Sequence, residues 1–564
     1  MRSIVSSDVG IPCCILPLSI PAVTTAKGRD MKNWRTAIFA ILLAATSLVA
    51  SSPQGHGQAT TQFQVTETSI DAIQAAYKAG KLTAHQLVQD YLDRIATYDK
   101  QGPKINAIIS LNPHALEDAD KLDAAYKKSG LTGPMHGIPV LVKDEIDVAG
   151  LPTTMGTVVF KDFRPTKDSF VVEQLRKAGA IILGKTTLSE FAIGDTYGSM
   201  FGVTRNPYDP ERTAGGSSGG SGAALAANFA TVALGEETLA SIRRPGGWNA
   251  VVTMRPTSGL VSRSGMWDGY PTDFATMGPM ALNVRDLARL LDVMVGYDPE
   301  DPQTALGVDH KGGSYTRYLD KNGLKGARIG ILREPIGFMS EPESEDFQKV
   351  NDVFEKNIAE LKSAGATIVD SIAIPDLNAL LAKRVADATA SDEALRLYLG
   401  RNPNSAFKNR QDIANSPLLN QSFPANKRTL WATPFQPTDA AKFGEYLKAR
   451  NQLMTNIMKV MADNRLDAIV HKTVEHQPTM IKDGINPPYV SQKGVPSLNT
   501  FLVFASSMTV PSGFTRDNLP VGITFFGRPY NESVLIKLAY AYEQATHHRV
   551  PPKSTPALAT VGTK

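Results

Sequence analysis

Two kinds of apolar pattern alternate along the chain. Residues 70–98 space Leu87, Tyr91 and Ile95 by four, with Thr83 where an N-cap belongs, which predicts helix. Residues 137–142 read GIPVLV, a continuous apolar run that predicts a short buried strand. Charge follows abruptly, in Lys143, Asp144 and Glu145, and strand ends are where α/β layers place chemistry. An amphipathic helix is predicted over 171–178 and another buried strand over 180–183, so helix and strand alternate.

Residues 205–264 are dense in glycine and serine, too long and too patterned for a linker. Residues 378–436 are rich in Asn, Pro and Lys with weak periodicity, which predicts an irregular insertion over the core, of the kind that shapes a substrate funnel. From Leu466 onward strand and helix patterns return, closing with ITFF at Ile523 and a helix through Leu538 and Tyr542. No repeat or interdomain linker interrupts them. One domain over 60–550 is therefore predicted, followed by a flexible tail at 551–564.

The first 59 residues follow a different logic. From Met31, Lys32 and Arg35 form a basic start, 37–50 is apolar, and Gly57 and Ala59 supply small residues for cleavage. That apolar run is shorter than the roughly 18 residues expected of a membrane span, so a cleaved secretory signal is predicted, with the mature chain starting near Thr60. No cysteine at the cleavage region supports a lipid anchor. Residues 1–30 read as an over-long assigned start.

Composition narrows the chemistry. With 42% apolar and 20% charged residues the chain can bury a large core. A net charge of +4, without a long basic run, argues against nucleic acid as a partner. The two cysteines, Cys13 and Cys14, are adjacent and upstream of the body, and the histidines, His547 and His548 included, have no metal-ligand spacing. No metal and no cofactor are expected.

Two common motifs occur by spacing alone. Gly179, Gly184, Lys185 and Thr186 match a phosphate loop, but the intervening residues are apolar and strand-like. Gly216, Ser218 and Gly220 match the G-x-S-x-G elbow of carboxylesterases, with His471 or His476 available downstream. A larger constellation outweighs both. GGSSGGS from Gly215, SIRRP from Ser241 and GIPVLVKD ending in Lys143 and Asp144 occur together with TTLSEFA from Thr186, RPTSGLVSRSG from Arg255 and LPVGITFFGRP from Leu519. Together these resemble the amidase signature family over nearly the whole body.

The resemblance implies an α/β fold, a large mixed β-sheet sandwiched by α-helices. It implies an amidohydrolase that cleaves carboxamide C–N bonds to a carboxylic acid plus ammonia or an amine. Position by position, Ser241 matches the nucleophile, Ser217 the serine after a cis peptide bond, and Lys143 the base. A serine hydroxyl is a poor nucleophile until its proton is removed, and burial at the strand end is expected to lower the Lys143 pKa enough for that. Ser217, both donor and acceptor, would relay the proton. The backbone N–H groups of Thr238, Leu239, Ala240 and Ser241 match the oxyanion hole, and Gly216, Ser218 and Arg243 the supporting loop. The family's usual glycines before the nucleophile are replaced by Leu239 and Ala240. A positive φ at residue 240 would cost on the order of 1 kcal/mol with alanine there.

The expected partner is a small-molecule amide, with no stable membrane insertion after signal cleavage and with a homodimer left open. The expected location is secreted or periplasmic. Rival readings are a Ser218 carboxylesterase, a noncatalytic binding protein on the same fold, and the ammonia-generating component of a tRNA-dependent amidotransferase, against which the export signal argues.

Overall fold

The apolar run that ends in Lys143 becomes one strand of an eleven-stranded mixed sheet. The computed structural model describes residues 63–559 except 311, 433, 497 and 499–503; the predicted signal, both cysteines and residues 560–564 lie outside this set. In chain order the strands are β1 (Ile108–Leu111), β2 (Pro139–Lys143), β3 (Ile181–Thr186), β4 (Val232–Glu237), β5 (Val252–Arg255), β6 (Thr276–Ala281), β7 (Arg328–Ile331), β8 (Thr367–Val369), β9 (Ala468–Lys472), β10 (Ser507–Phe514) and β11 (Pro520–Phe526). Across the sheet they run β1-β3-β2-β4-β6-β5-β10-β11-β9-β7-β8. β2 is parallel to both β3 and β4, and β7 is parallel to both β8 and β9. The remaining pairs are antiparallel.

Buried runs explain the centre of this order. β2, β3 and β4 are buried at every position, as strands with both faces covered must be. Helices flank them: Gly219–Ala226 is buried along its whole length, Arg243–Trp248 packs on β10 and β11, and Glu532–Thr546 packs on β10. The phosphate-loop spacing at 179–186 falls mostly within β3, where the Lys185 ammonium is buried 3.2 Å from Asp144. It forms no open loop.

Three expectations change. The helix predicted over 70–98 is two helices, Ile70–Lys78 and Ala84–Tyr98, parted at Gly80, which takes a φ of +65°. Thr83 caps the second, its hydroxyl accepting from Gln86 N. The segment 378–436 is more regular than its composition suggests, since it contains the helix Ala388–Arg401 and several short turns of helix. Its Leu395, Tyr398, Ile413 and Trp431 form a separate apolar cluster with Phe160 and Phe191 of the body. Finally, the tail expected to be flexible is held at residues 555 and 556: buried Arg94 donates to the carbonyls of Thr555 (2.9 Å) and Pro556 (2.8 Å). Among the described residues no helix is long and apolar enough to cross a membrane.

Candidate active site

β2 and β4 are parallel neighbours, with Val142 opposite Leu234, so Lys143 and Glu236 emerge at the same end of the sheet. Behind them lies the serine-rich loop. Gly216 brings it close to the 189–195 segment: a Cβ on residue 216 would sit 2.3 Å from the Gly194 carbonyl oxygen, so no larger residue fits. The Gly216-Ser217 peptide bond is cis. Ser217 then points at Lys143, and the ammonium donates to its Oγ over 2.6 Å.

Lys143 is fully buried and lies between two carboxylates, Glu145 Oε1 at 2.6 Å and Glu236 Oε2 at 2.9 Å. Burial opposes its charge, but Glu145 and then Glu236 outweigh burial and hold its pKa above the ordinary lysine value. This corrects the expectation that burial would lower it. The sequence shows the burial and hides the partners. Asp144, the nearer carboxylate in sequence, instead takes Lys185 and the Thr154 backbone N–H, 3.0 Å away.

Ser241 lies on the turn between β4 and the helix Arg243–Trp248, partly open to a cleft of about 460 Å³. Thr238, Leu239 and Ala240 line the same cleft. The backbone N–H groups of residues 238 to 241 make no hydrogen bond among the described residues, which leaves donors available beside the Ser241 hydroxyl. Neither Leu239 nor Ala240 has a positive φ, so the glycine replacements carry no backbone strain of that kind. Ala240 is buried against Trp248, Val474 and Val495, with Leu239 packed on the same cluster. No hydrogen bond joins the Ser217 and Ser241 hydroxyls among the described residues; the loop is tied to the turn by the Ser218 N–H donating to the Ser241 carbonyl over 3.0 Å.

The two arginines after Ser241 divide the support. Arg243 Nε donates to Glu237 (2.8 Å) and Nη2 to the Leu239 carbonyl (2.8 Å), which fixes the turn. Arg244 holds the serine loop, donating to Gly216 O (2.9 Å from Nε) and Gly194 O (2.8 Å) while paired with Asp195 at 2.9 Å. Sequence reasoning gave loop support to Arg243 and overlooked Arg244. Ser218 is buried, donates to Glu236 O (3.1 Å) and accepts from Glu236 N (3.3 Å), so its hydroxyl is a rung beside β4. The histidines offered to it are elsewhere: buried His471 is hydrogen-bonded to Lys472 O at 2.7 Å and pushed down to about 3 by burial, and His476 is bound to Asp346 at 2.8 Å. Among the described residues neither histidine hydrogen-bonds to Ser218.

The outer wall comes from distant segments. Phe191, Trp267, Leu395 and Trp431 give it apolar faces, and Asp268, Arg384 and Arg410 add charge. None of these was identified from sequence, although the funnel role expected of 378–436 anticipates Arg384, Leu395, Arg410 and Trp431.

An α/β sheet with a lysine-serine pair beneath a serine-bearing cleft defines a hydrolase of the amidase type. The amidase family model matches residues 86–536, and the chain belongs to this family, the amidase signature enzymes. It is an amidohydrolase. The chain is similar to a peptide amidase from Stenotrophomonas maltophilia, with 34% identity, a TM-score of 0.77, and coverage of 87% of this chain and 99% of that one. It is also 33% identical to a glutamyl-tRNA(Gln) amidotransferase subunit from Methanosarcina barkeri, over 86% of this chain and 99% of the relative. A protein named as a probable amidase in Arabidopsis thaliana is 30% identical over 91% of this chain and 96% of its own length.

Proposed function

We propose that the amide is cleaved through an acyl-enzyme on Ser241, with Ser217 relaying the proton and Lys143 as the base. The observation that carries this is the 2.6 Å contact of Lys143 with Ser217 under a cleft lined by Ser241. Attack by Ser241 Oγ on the amide carbon forms the C–O bond, its proton passes through Ser217, and the same path returns a proton to the leaving amine. The N–H groups of residues 238 to 241 are the donors for the oxyanion. A fluorophosphonate that labels Ser241 in the wild type tests this, and unchanged hydrolysis by Ser241→Ala would refute it.

Peptide amides are the proposed substrates. Likeness to a peptide amidase supports this, as does a cleft of about 460 Å³ whose aromatic walls can cover a residue-sized acyl group. A hydrolysis panel of peptide amides, aryl acylamides and fatty amides tests it; preference for either of the latter would overturn it. Export is proposed from the signal at Met31, and an exported mass beginning near Thr60 is the expected result. An exported enzyme would not work within a tRNA-dependent amidotransferase, which makes hydrolysis the favoured role.

A further inference from the structure

A lysine ammonium has three protons, and four acceptors surround this one: Ser217 Oγ and Glu145 Oε1 at 2.6 Å, Glu236 Oε2 at 2.9 Å and the Glu236 carbonyl at 3.4 Å. As an ammonium it has no lone pair with which to accept the Ser217 proton. A base role therefore needs somewhere for one ammonium proton to go. Solvent is a poor receiver, because Lys143, Glu145 and Ser217 are all buried. Glu236 already accepts a second donor, the Thr238 hydroxyl at 2.9 Å, whereas Glu145 makes the shorter contact with the ammonium.

We propose that Glu145 is a positioning residue that takes one proton from Lys143, turning the ammonium into an amine that can serve Ser217 without loss of a proton to solvent. The inference rests on the Ser241 acyl-enzyme proposed above. The step breaks one N–H bond of Lys143 and forms one O–H bond on Glu145, so the charge of the group is unchanged. The amine then accepts the Ser217 proton as Ser217 accepts that of Ser241. When the leaving amine takes its proton back through Ser217, Lys143 recovers its own from Glu145. Two catalytic stages run on one internal proton.

The surroundings favour a neutral Glu145. Burial pushes its carboxyl well above the usual carboxylate range, and Glu236 adds to the rise while Lys143 opposes it. The other charges around the group are already matched: Asp144 with Lys185, Glu237 with Arg243, and Arg244 with Asp195. Asp268, which shares the cleft, is pushed up to about 7 by burial and by Glu236. Arg255 lies 3.9 Å from Glu237 on the far side of β4 from Lys143's own strand.

The rate of fluorophosphonate labelling at Ser241, followed by intact mass from pH 5 to pH 10, reads nucleophile activation without a chosen substrate. In Glu145→Gln, Lys143 must release its proton to solvent against the pull of Glu236, so the rate at pH 7 is expected to fall at least about tenfold and to recover above about pH 9. Glu145→Asp is expected to show an intermediate profile, with the midpoint of the rise moved up by about half a unit. A Glu145→Gln profile lowered by the same factor at every pH, or superimposed on the wild type, would overturn the inference and leave Ser241 as the nucleophile. If Glu145→Gln does not fold, the Glu145→Asp midpoint decides: a shift supports the transfer and an unmoved midpoint overturns it. A label that lands on another residue in the wild type overturns the Ser241 reading, and this inference with it.

Discussion

The floor of the cleft and its outer wall are built on opposite principles. The floor hangs on β2, β4 and the serine loop, with Lys143, Ser217, Ser218 and Glu236 buried and joined by direct hydrogen bonds. The wall comes from 378–436 and from Phe191 and Trp267, joined by apolar contacts in a cluster separate from the main core. Polar geometry admits few substitutions, because each removed partner leaves a buried group unsatisfied. Apolar contact tolerates many. Reaction type and substrate choice can therefore change independently in this molecule.

The comparison is broken or sharpened by four variants. Ser241→Ala is expected to lower kcat by at least about 10³-fold with the fold intact, read by amide hydrolysis and circular dichroism. Trp431→Ala, on the wall, is expected to raise KM about tenfold for the best substrate while kcat stays within about threefold. A kcat collapse there would show that wall and floor are coupled. Ser218→Ala removes the rung between loop and β4, with an expected loss of about 1–2 kcal/mol in chemical denaturation and with the fluorophosphonate label still on Ser241. The mildest is Ala240→Gly, which adds backbone freedom and removes a packed methyl: a loss of about 1 kcal/mol in stability, with kcat/KM within about threefold. A large activity loss would mean that the Ala240 methyl positions Ser241.

The same division decides what could be read in the sequence. β2 and β3 were legible because strands covered on both faces need continuous apolar runs, and Thr83 was legible because capping is local. The serine loop was legible because close approach at Gly216 admits no side chain. Partners across long separations were hidden. Glu236 lies 93 residues from Lys143, and the sequence does not show that Glu145, two residues on, turns back to the ammonium rather than Asp144, so burial alone points the lysine's pKa in the wrong direction. Arg243 and Arg244 are neighbours of equal charge, and only tertiary structure assigns one to the turn and the other to the loop. The helix Ala388–Arg401 was missed because its four buried side chains, Ala394, Leu395, Tyr398 and Leu399, leave a weak period among polar residues.

The order of the sheet has a consequence for how the molecule behaves among its own copies. Its outermost strands are β1, four residues long and irregular in register, and β8, with three residues. An open sheet invites another chain to extend it along an unpaired edge, and short or bulged edges offer too little backbone for that. Self-association by strand addition is disfavoured at both ends. Among the described residues, neither edge of this sheet gives a second copy of the chain much backbone to pair with.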